Sequence, residues 1–256
     1  MILSNELKTA IEASKKAGRI LMDLYGKVKI KYKRDGTIIT KADEMSEKLI
    51  RKILTNRFPD YSIIGEEFGF EEKSSEYLWA IDPLDGTTNY SIRNPFFNVS
   101  IALLDEEKPI LGVVYYPFQD ELFFAEIGKG AYLNNKRIYV SGEDKFENAV
   151  LTFCHRSDPE SVERMAKIFR EFKMRNPKVR QIGAAALEMC YVACARVESF
   201  LMINLNIWDV AAGAIIVKEA GGRVTDFDGN EFDINSKDIL ASNGLLHNEL
   251  LRLINL

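Results

Sequence analysis

Trp79-Ala80-Ile81-Asp82-Pro83-Leu84-Asp85-Gly86-Thr87-Thr88-Asn89 sets two carboxylates three residues apart on a turn directly after an apolar strand. Pro83 fixes its own φ and restricts Asp82, while Gly86 relieves crowding where the chain must reverse. The hydroxyls of Thr87 and Thr88 then share a small volume with both acids and with the free carbonyl of Leu84. Hard oxygen donors of this kind suit Mg²⁺ better than zinc or copper. The same residues would also make a plain turn, because Asp, Pro and Gly dominate turns for conformational reasons alone.

Further acidic segments shift the balance toward a metal site. Ser62-Ile63-Ile64-Gly65-Glu66-Glu67 reads as a short apolar strand ending in paired glutamates. Ile207-Trp208-Asp209-Val210-Ala211-Ala212-Gly213 puts an acid at the mouth of a small-residue helix. Thr40-Lys41-Ala42-Asp43 resembles a capping box that opens a helix through Met45, Leu49, Ile50, Ile53 and Leu54. Capping alone would account for Asp43. Before it, the basic stretch from Lys29 to Ile39, broken by Asp35-Gly36, suggests a hairpin or a mobile loop whose cations could meet phosphate.

Leu7, Ile11, Ala17, Leu21 and Leu24 recur at helical spacing and predict a first amphipathic helix that ends at Gly26. Residues 97–103, 110–116, 122–126 and 131–138 read as successive strands of an antiparallel meander. Its aromatic residues, Phe96, Tyr115, Tyr116, Phe123 and Phe124, fit sheet packing better than base stacking. After Asn148 strands and helices alternate, with helices expected over 159–172, 183–195, 208–220 and 246–254. The expected division is an α+β half, 1–148, carrying the acidic motifs and the meander, and an α/β half, 149–256, completing the site.

The 256 residues are 46% hydrophobic and 28% charged, an ordinary globular composition. Length allows one large domain or two small ones burying roughly 70–75% of the unfolded surface. A net charge of −4 argues against nucleic-acid or anionic-membrane partners. The start, Met1-Ile2-Leu3-Ser4-Asn5-Glu6, lacks the features of a signal peptide, and no apolar run approaches the ~20 residues that span a bilayer, so a cytoplasmic location is expected. Cys154, Cys190 and Cys194 form no C-x-x-C pair, and His155 and His247 stand apart from any recognisable nucleophile arrangement.

Gly65-Glu66-Glu67, Asp82-Pro83-Leu84-Asp85-Gly86-Thr87-Thr88-Asn89, and Trp208-Asp209-Val210-Ala211-Ala212-Gly213 with Glu219-Ala220-Gly221-Gly222 together resemble the inositol monophosphatase family. The likeness covers nearly the whole chain. Residues 182–193 look like the family's substrate-side helix start, and the closing residues resemble archaeal members with both inositol monophosphatase and fructose-1,6-bisphosphatase activity. The resemblance implies the layered αβαβα architecture of the α/β class and a hydrolase for phosphate monoesters of inositol or sugars. It implies two or three Mg²⁺ ions, with Mn²⁺ as a substitute, held by Glu66, Asp82, the Leu84 carbonyl, Asp85 and Asp209. Thr87 would lie near the attacking water, with Asp43 hydrogen-bonded to it. Substrate would meet Asp85, Gly86, Thr87, Thr88, Arg180, Gly183, Ala184, Ala185 and Asp209, with Arg196 a weaker candidate. Relatives are commonly dimers, so a homodimer is expected.

Two departures bear on substrate and metal. Thr37 stands where many relatives place an acid, which weakens the expected affinity of one metal site. Met202 replaces a glutamate that animal members set against the inositol ring, which favours a broader sugar-phosphate range. The competing readings are a 3′,5′-bisphosphate nucleotidase, for which the sequence offers no adenine pocket, and a regulatory binding protein that keeps the fold.

Overall fold

The structure, a computed structural model, describes residues 3–33, 36–176 and 178–256. Met1, Ile2 and Asp35, which enter the reading above, lie outside the described residues. In chain order the elements are α1 (Asn5–Leu24), β1 (Ile30–Tyr32), β2 (Ile38–Thr40), α2 (Lys41–Arg57), β3 (Ser62–Gly65), β4 (Gly69–Glu71), β5 (Tyr77–Asp85) and α3 (Thr87–Ser91). There follow β6 (Asn98–Asp105), β7 (Lys108–Tyr116), β8 (Glu121–Glu126), β9 (Ala131–Leu133), β10 (Lys136–Ile138), β11 (Leu151–His155) and α4 (Pro159–Arg175). The chain closes with β12 (Val179–Arg180), α5 (Ala185–Ala193), β13 (Ser199–Ile203), α6 (Ile207–Glu219), β14 (Arg223–Thr225), β15 (Asp238–Ser242) and α7 (His247–Ile254).

An eight-stranded sheet runs β10-β9-β8-β7-β6-β5-β3-β4, and a five-stranded sheet runs β12-β11-β13-β15-β14. Strand alternation sorts the large sheet's side chains onto two faces. Trp79, Ile81, Ile101 and Val113 pack with α1 and α2, while Ala80, Ala102 and Val114 pack with α5 and α6. The small sheet divides likewise: Phe200, Met202 and Ile239 face α5 and α6, and Leu151, Leu201 and Leu240 face α4 and α7. Three apolar cores between five layers make an αβαβα sandwich.

The Asp82–Asp85 stretch differs from the expected turn. β5 continues through Asp85, pairing Asp82 with Ser100 and Asp85 with Asn98, so three steps on β5 meet two on β6. Pro83 lacks the N–H a ladder needs, and Asp82 Oδ1 accepts the Leu84 N–H at 3.0 Å, which produces a β-bulge. The extra residue restores Asp85 to the face that Asp82 and Ala80 occupy, toward α5 and α6. In an unbulged strand, acids three apart would point to opposite faces.

Other boundaries shift for local reasons. The strand expected over 131–138 is the hairpin β9–β10, turned at Asn134 with φ +54°, a conformation that asparagine tolerates better than most residues. The basic stretch forms the β1–β2 hairpin, Ile30 opposite Thr40. The Thr40–Asp43 capping box is present, with Asp43 Oδ2 accepting the Thr40 N–H at 2.8 Å.

α6 lies close against the large sheet because that face is built of small residues. A Cβ at Gly112 on β7 would stand 2.5 Å from the Ala212 carbonyl oxygen, and backbone cannot yield as a flexible side chain does. The same packing sets Asp209, about one turn back along α6, over β5. Gly112→Ala therefore costs about 1–3 kcal/mol, the range for overpacking. Urea denaturation would read this as a lower midpoint at constant slope, and an unchanged midpoint would contradict the close helix–sheet contact.

Candidate active site

β3 and β5 run parallel with Gly65 opposite Ile81, so the chain delivers Glu66 beside Asp82 at the same sheet end. The Glu66 N–H still donates to the Ile81 carbonyl at 3.3 Å, which extends the register by one residue. Asp209 enters from the first turn of α6, where its Oδ2 accepts the Asn206 N–H at 3.0 Å. A cavity of about 340 Å³ is lined by Glu66, Asp82, Leu84, Asp85, Gly86, Thr87, Thr88 and Asp209, with Tyr32, Thr37 and Ile38 from the β1–β2 hairpin. The three acidic segments of the sequence thus meet at one place.

Each acid is held by a different device. Asp85 meets the N-terminus of α5: its Oδ1 accepts the Ala185 N–H at 3.0 Å, and its Oδ2 accepts the Ala186 N–H at 2.9 Å and Asn98 Nδ2 at 2.6 Å. Such donors favour the charged carboxylate. Thr87 Oγ1 lies 2.9 Å from the Leu84 carbonyl and 3.2 Å from Asp43 Oδ1. Gly86 turns the chain into α3 with φ +88°, and a Cβ there would lie 2.6 Å from the Phe96 carbonyl oxygen. Glycine is required at this position on both counts.

Electrostatics identify the cavity as short of positive charge. Burial, then the charges of Glu66, Asp85 and Asp209, push the Asp82 carboxyl well above the usual carboxylate range. Burial raises Asp85 to about 6 against its three hydrogen-bond donors. Asp209 keeps some surface on the cavity but is ringed by protein, and burial followed by the Glu66 charge raises it to about 7. Burial raises Asp43 to about 6. Lys33, on the hairpin, lies 3.3 Å from Glu66 Oε1 and 2.8 Å from Glu67 Oε1.

No three Asp, Glu, His or Cys side chains among the described residues already close around one point as metal ligands. The carboxylates are instead turned to the amide, amide-nitrogen and ammonium donors just named. Their chemistry nonetheless fits a hard divalent cation: oxygen donors only, in one cavity, with protons held where counter-charge is lacking.

Of the expected substrate-side residues, Gly183 and Ala185 lie at the cavities and Arg180 does not. Gly183 lines the metal-side cavity and an adjoining one of about 470 Å³, which Ala185, His155, Ser157, Gln181 and Met202 also line. The Gly183 and Ala184 N–H groups donate to Glu188 Oε1 at 2.9 and 3.3 Å, and the Ala185 N–H is committed to Asp85. The loop therefore offers a substrate its small size, its backbone donors being engaged. Arg180 lies on β12 with Nη1 donating to the Val179 carbonyl at 3.0 Å, and it lines neither cavity. Arg196 forms an ion pair with Glu121 and stacks over Tyr191, away from both cavities.

Sequence reasoning overlooked Glu188, Asn98 and Ser157, and of the hairpin cations expected to meet phosphate, Lys33 pairs with Glu66 and Glu67. A glutamate within the apolar helix Ala185-Ala186-Leu187-Glu188-Met189-Cys190 is itself a signal, since a fully buried carboxylate needs donors nearby. Asn98 and Ser157 carry no comparable mark in the sequence.

The raised carboxyls have a thermodynamic consequence. The folded chain holds protons that the unfolded chain has released, so metal-free stability falls as pH rises through the folded values near 7. His247 works oppositely, because burial lowers it to about 4, but its contribution is complete above about pH 6.5. Between pH 6.5 and 8, thermal melting in chelator should show a decreasing midpoint. A flat or rising midpoint would contradict the shared burial of these acids.

The inositol monophosphatase family profile matches residues 3–255. The chain is 39% identical to the fructose-1,6-bisphosphatase/inositol-1-monophosphatase of Thermotoga maritima, covering 98% of this chain and 96% of that one. It is also 39% identical to the inositol-1-monophosphatase of a Synechocystis strain, over 97% of this chain and 88% of the relative. In three dimensions it matches the extragenic suppressor protein SuhB of Bartonella henselae with a TM-score of 0.93 at 36% identity, over 98% of each chain. With the αβαβα layers and the three converging acidic segments, these likenesses place the chain in the inositol monophosphatase family, whose members are phosphatases acting on phosphate monoesters.

Proposed function

We propose that the chain is a Mg²⁺-dependent phosphatase for inositol monophosphate that also accepts fructose 1,6-bisphosphate or related sugar phosphates. The observation that carries this reading is the single cavity shared by Glu66, Asp82, Asp85 and Asp209 beside the Gly86–Thr88 start of α3. Glu66, Asp82, Asp85, Asp209 and the Leu84 carbonyl would hold two or three ions, with Mn²⁺ able to substitute. Bound Mg²⁺ would supply Lewis-acid charge at the phosphoryl group and acidify water.

The chain's own groups orient the reaction. The Thr87 hydroxyl donates toward Leu84 O or Asp43 Oδ1, which leaves its lone pairs to accept a hydrogen bond from a water on the cavity side and so orient it. Glu66, partly exposed on the cavity, serves as the base for that water. The first amides of α3 lack intrahelical acceptors and suit phosphate oxygens, with Thr88 at the edge. The larger adjoining cavity, lined by Met202, Gln181, His155 and Ser157, takes the polyol. Among the described residues its only ring is His155, and a polyol phosphate suits such walls better than an adenine that seeks stacking.

Phosphate release from inositol 1-phosphate, fructose 1,6-bisphosphate and a 3′,5′-bisphosphate nucleotide, measured side by side, tests the reading. Activity should vanish with chelator, and Asp85→Asn should lower kcat by at least about 10²-fold. Thr87→Ala should lower kcat by roughly 10²-fold or more, with Thr87→Ser restoring most of it. Chelator-resistant turnover, or preference for the nucleotide, would overturn the proposal.

A further inference from the structure

One face of α2 grips all three segments that form the near wall of the cavity. Asp43 meets Thr87 at 3.2 Å, Ser46 Oγ donates to the Pro83 carbonyl at 2.8 Å, and Glu47 reaches under the turn that follows Glu66. These residues stand at i, i+3 and i+4, the spacing that aligns side chains on one helical face. Asp43 and Ser46 touch the bulge and the start of α3. Glu47 has no part in the mechanism above.

Glu47 is fully buried. Its Oε2 accepts the Glu67 N–H at 2.8 Å, and its Oε1 accepts the Phe68 N–H at 3.3 Å and Arg51 Nε at 2.8 Å. Its charge is thus compensated by Arg51 from its own helix, one turn on. Gly65 makes the approach feasible, because a Cβ there would fall 2.2 Å from Glu47 Oε1. Gly65 has no positive φ to explain it, so the space it leaves for Glu47 is the reason glycine precedes the paired glutamates. Phe68 itself is exposed, and an amide in such a turn ordinarily faces water.

We infer that Glu47 is a positioning residue that fixes the Glu66 carboxylate at the cavity by clamping the two backbone amides that follow it. The inference rests on the proposed role of Glu66 as a metal ligand and goes beyond it by naming what holds that ligand. The neighbouring contacts are Ile81 O on the Glu66 N–H and Lys33 on its carboxylate, so the turn is fixed from the adjacent strand β5, the helix below and the hairpin above.

Glu47→Gln keeps the length of the side chain but removes charge and one strong acceptor. Calorimetric titration of the chelator-stripped protein with Mg²⁺, without substrate, should show affinity weakened by roughly 10- to 100-fold, as for other outer partners of metal ligands. The Mg²⁺ concentration for half-maximal turnover should rise equally, with the substrate KM at saturating Mg²⁺ unchanged. Gly65→Ala displaces Glu47 while leaving its charge and should give the same Mg²⁺ defect. Should either substitution prevent folding, amide hydrogen exchange on the wild-type chain still decides: the Glu67 and Phe68 amides should be protected well beyond those of an exposed turn. Wild-type Mg²⁺ affinity in a folded Glu47→Gln protein, whatever its melting temperature, would overturn the inference, as would unprotected amides at 67 and 68. A wild-type chain that turned over substrate independently of Mg²⁺ would instead overturn the proposed function.

Discussion

Mutual repulsion among carboxylates gathered out of water is the constraint that shapes this molecule. Glu66, Asp82, Asp85 and Asp209 share one cavity, and the raised Asp82 carboxyl records the cost of assembling them. A fold tolerates such a cluster only by supplying donors, protons or a cation. The chain supplies donors from several directions: the start of α5 at Asp85, the Asn206 N–H at Asp209 and Lys33 at Glu66. The remaining deficit is what a divalent ion would neutralise.

The layered architecture makes this gathering feasible. Parallel pairing of β3 with β5 brings Glu66 beside Asp82, the bulge at Pro83-Leu84 returns Asp85 to the same face, and small residues beneath α6 bring Asp209 down onto that face. Each helix that contributes to the site also contributes to a core, so the acids sit on rigid elements. α2 packs Ala42, Ile50 and Leu54 into one apolar layer, and on the same buried face Asp43, Ser46 and Glu47 hold Thr87, the Pro83 carbonyl and the Glu67 amide. Rigid support of this kind keeps like charges at fixed separations and spares an ion the cost of ordering its ligands.

Much of this was legible in the sequence because it follows local rules. Helical spacing located α1, α4, α6 and α7 to within a few residues, and the capping signature at Thr40–Asp43 is the one observed. Convergence of the acidic segments was expected from the resemblance, since residues 66, 82 and 209 have no local reason to meet. The bulge was not legible: Asp-Pro-Leu-Asp-Gly reads as a turn, and only pairing with Asn98 and Ser100 shows the strand passing through it. The asparagine turn at Asn134 was missed for a similar reason, apolar residues on either side masking the break. Arg180 was read as meeting substrate but lines neither cavity, and the amides of Gly183, Ala184 and Ala185 are engaged by Glu188 and Asp85, contacts that spacing does not reveal.

The central claim is that these carboxylates form a cation-holding nest at the edge of α3. Anomalous diffraction from crystals soaked in Mn²⁺ and inorganic phosphate tests it most directly. The account predicts at least two anomalous peaks ligated by Glu66, Asp82, Asp85 and Asp209, with phosphate against Gly86 and Thr87. An ordered cavity without such peaks, or ions bound only elsewhere on the chain, would contradict it.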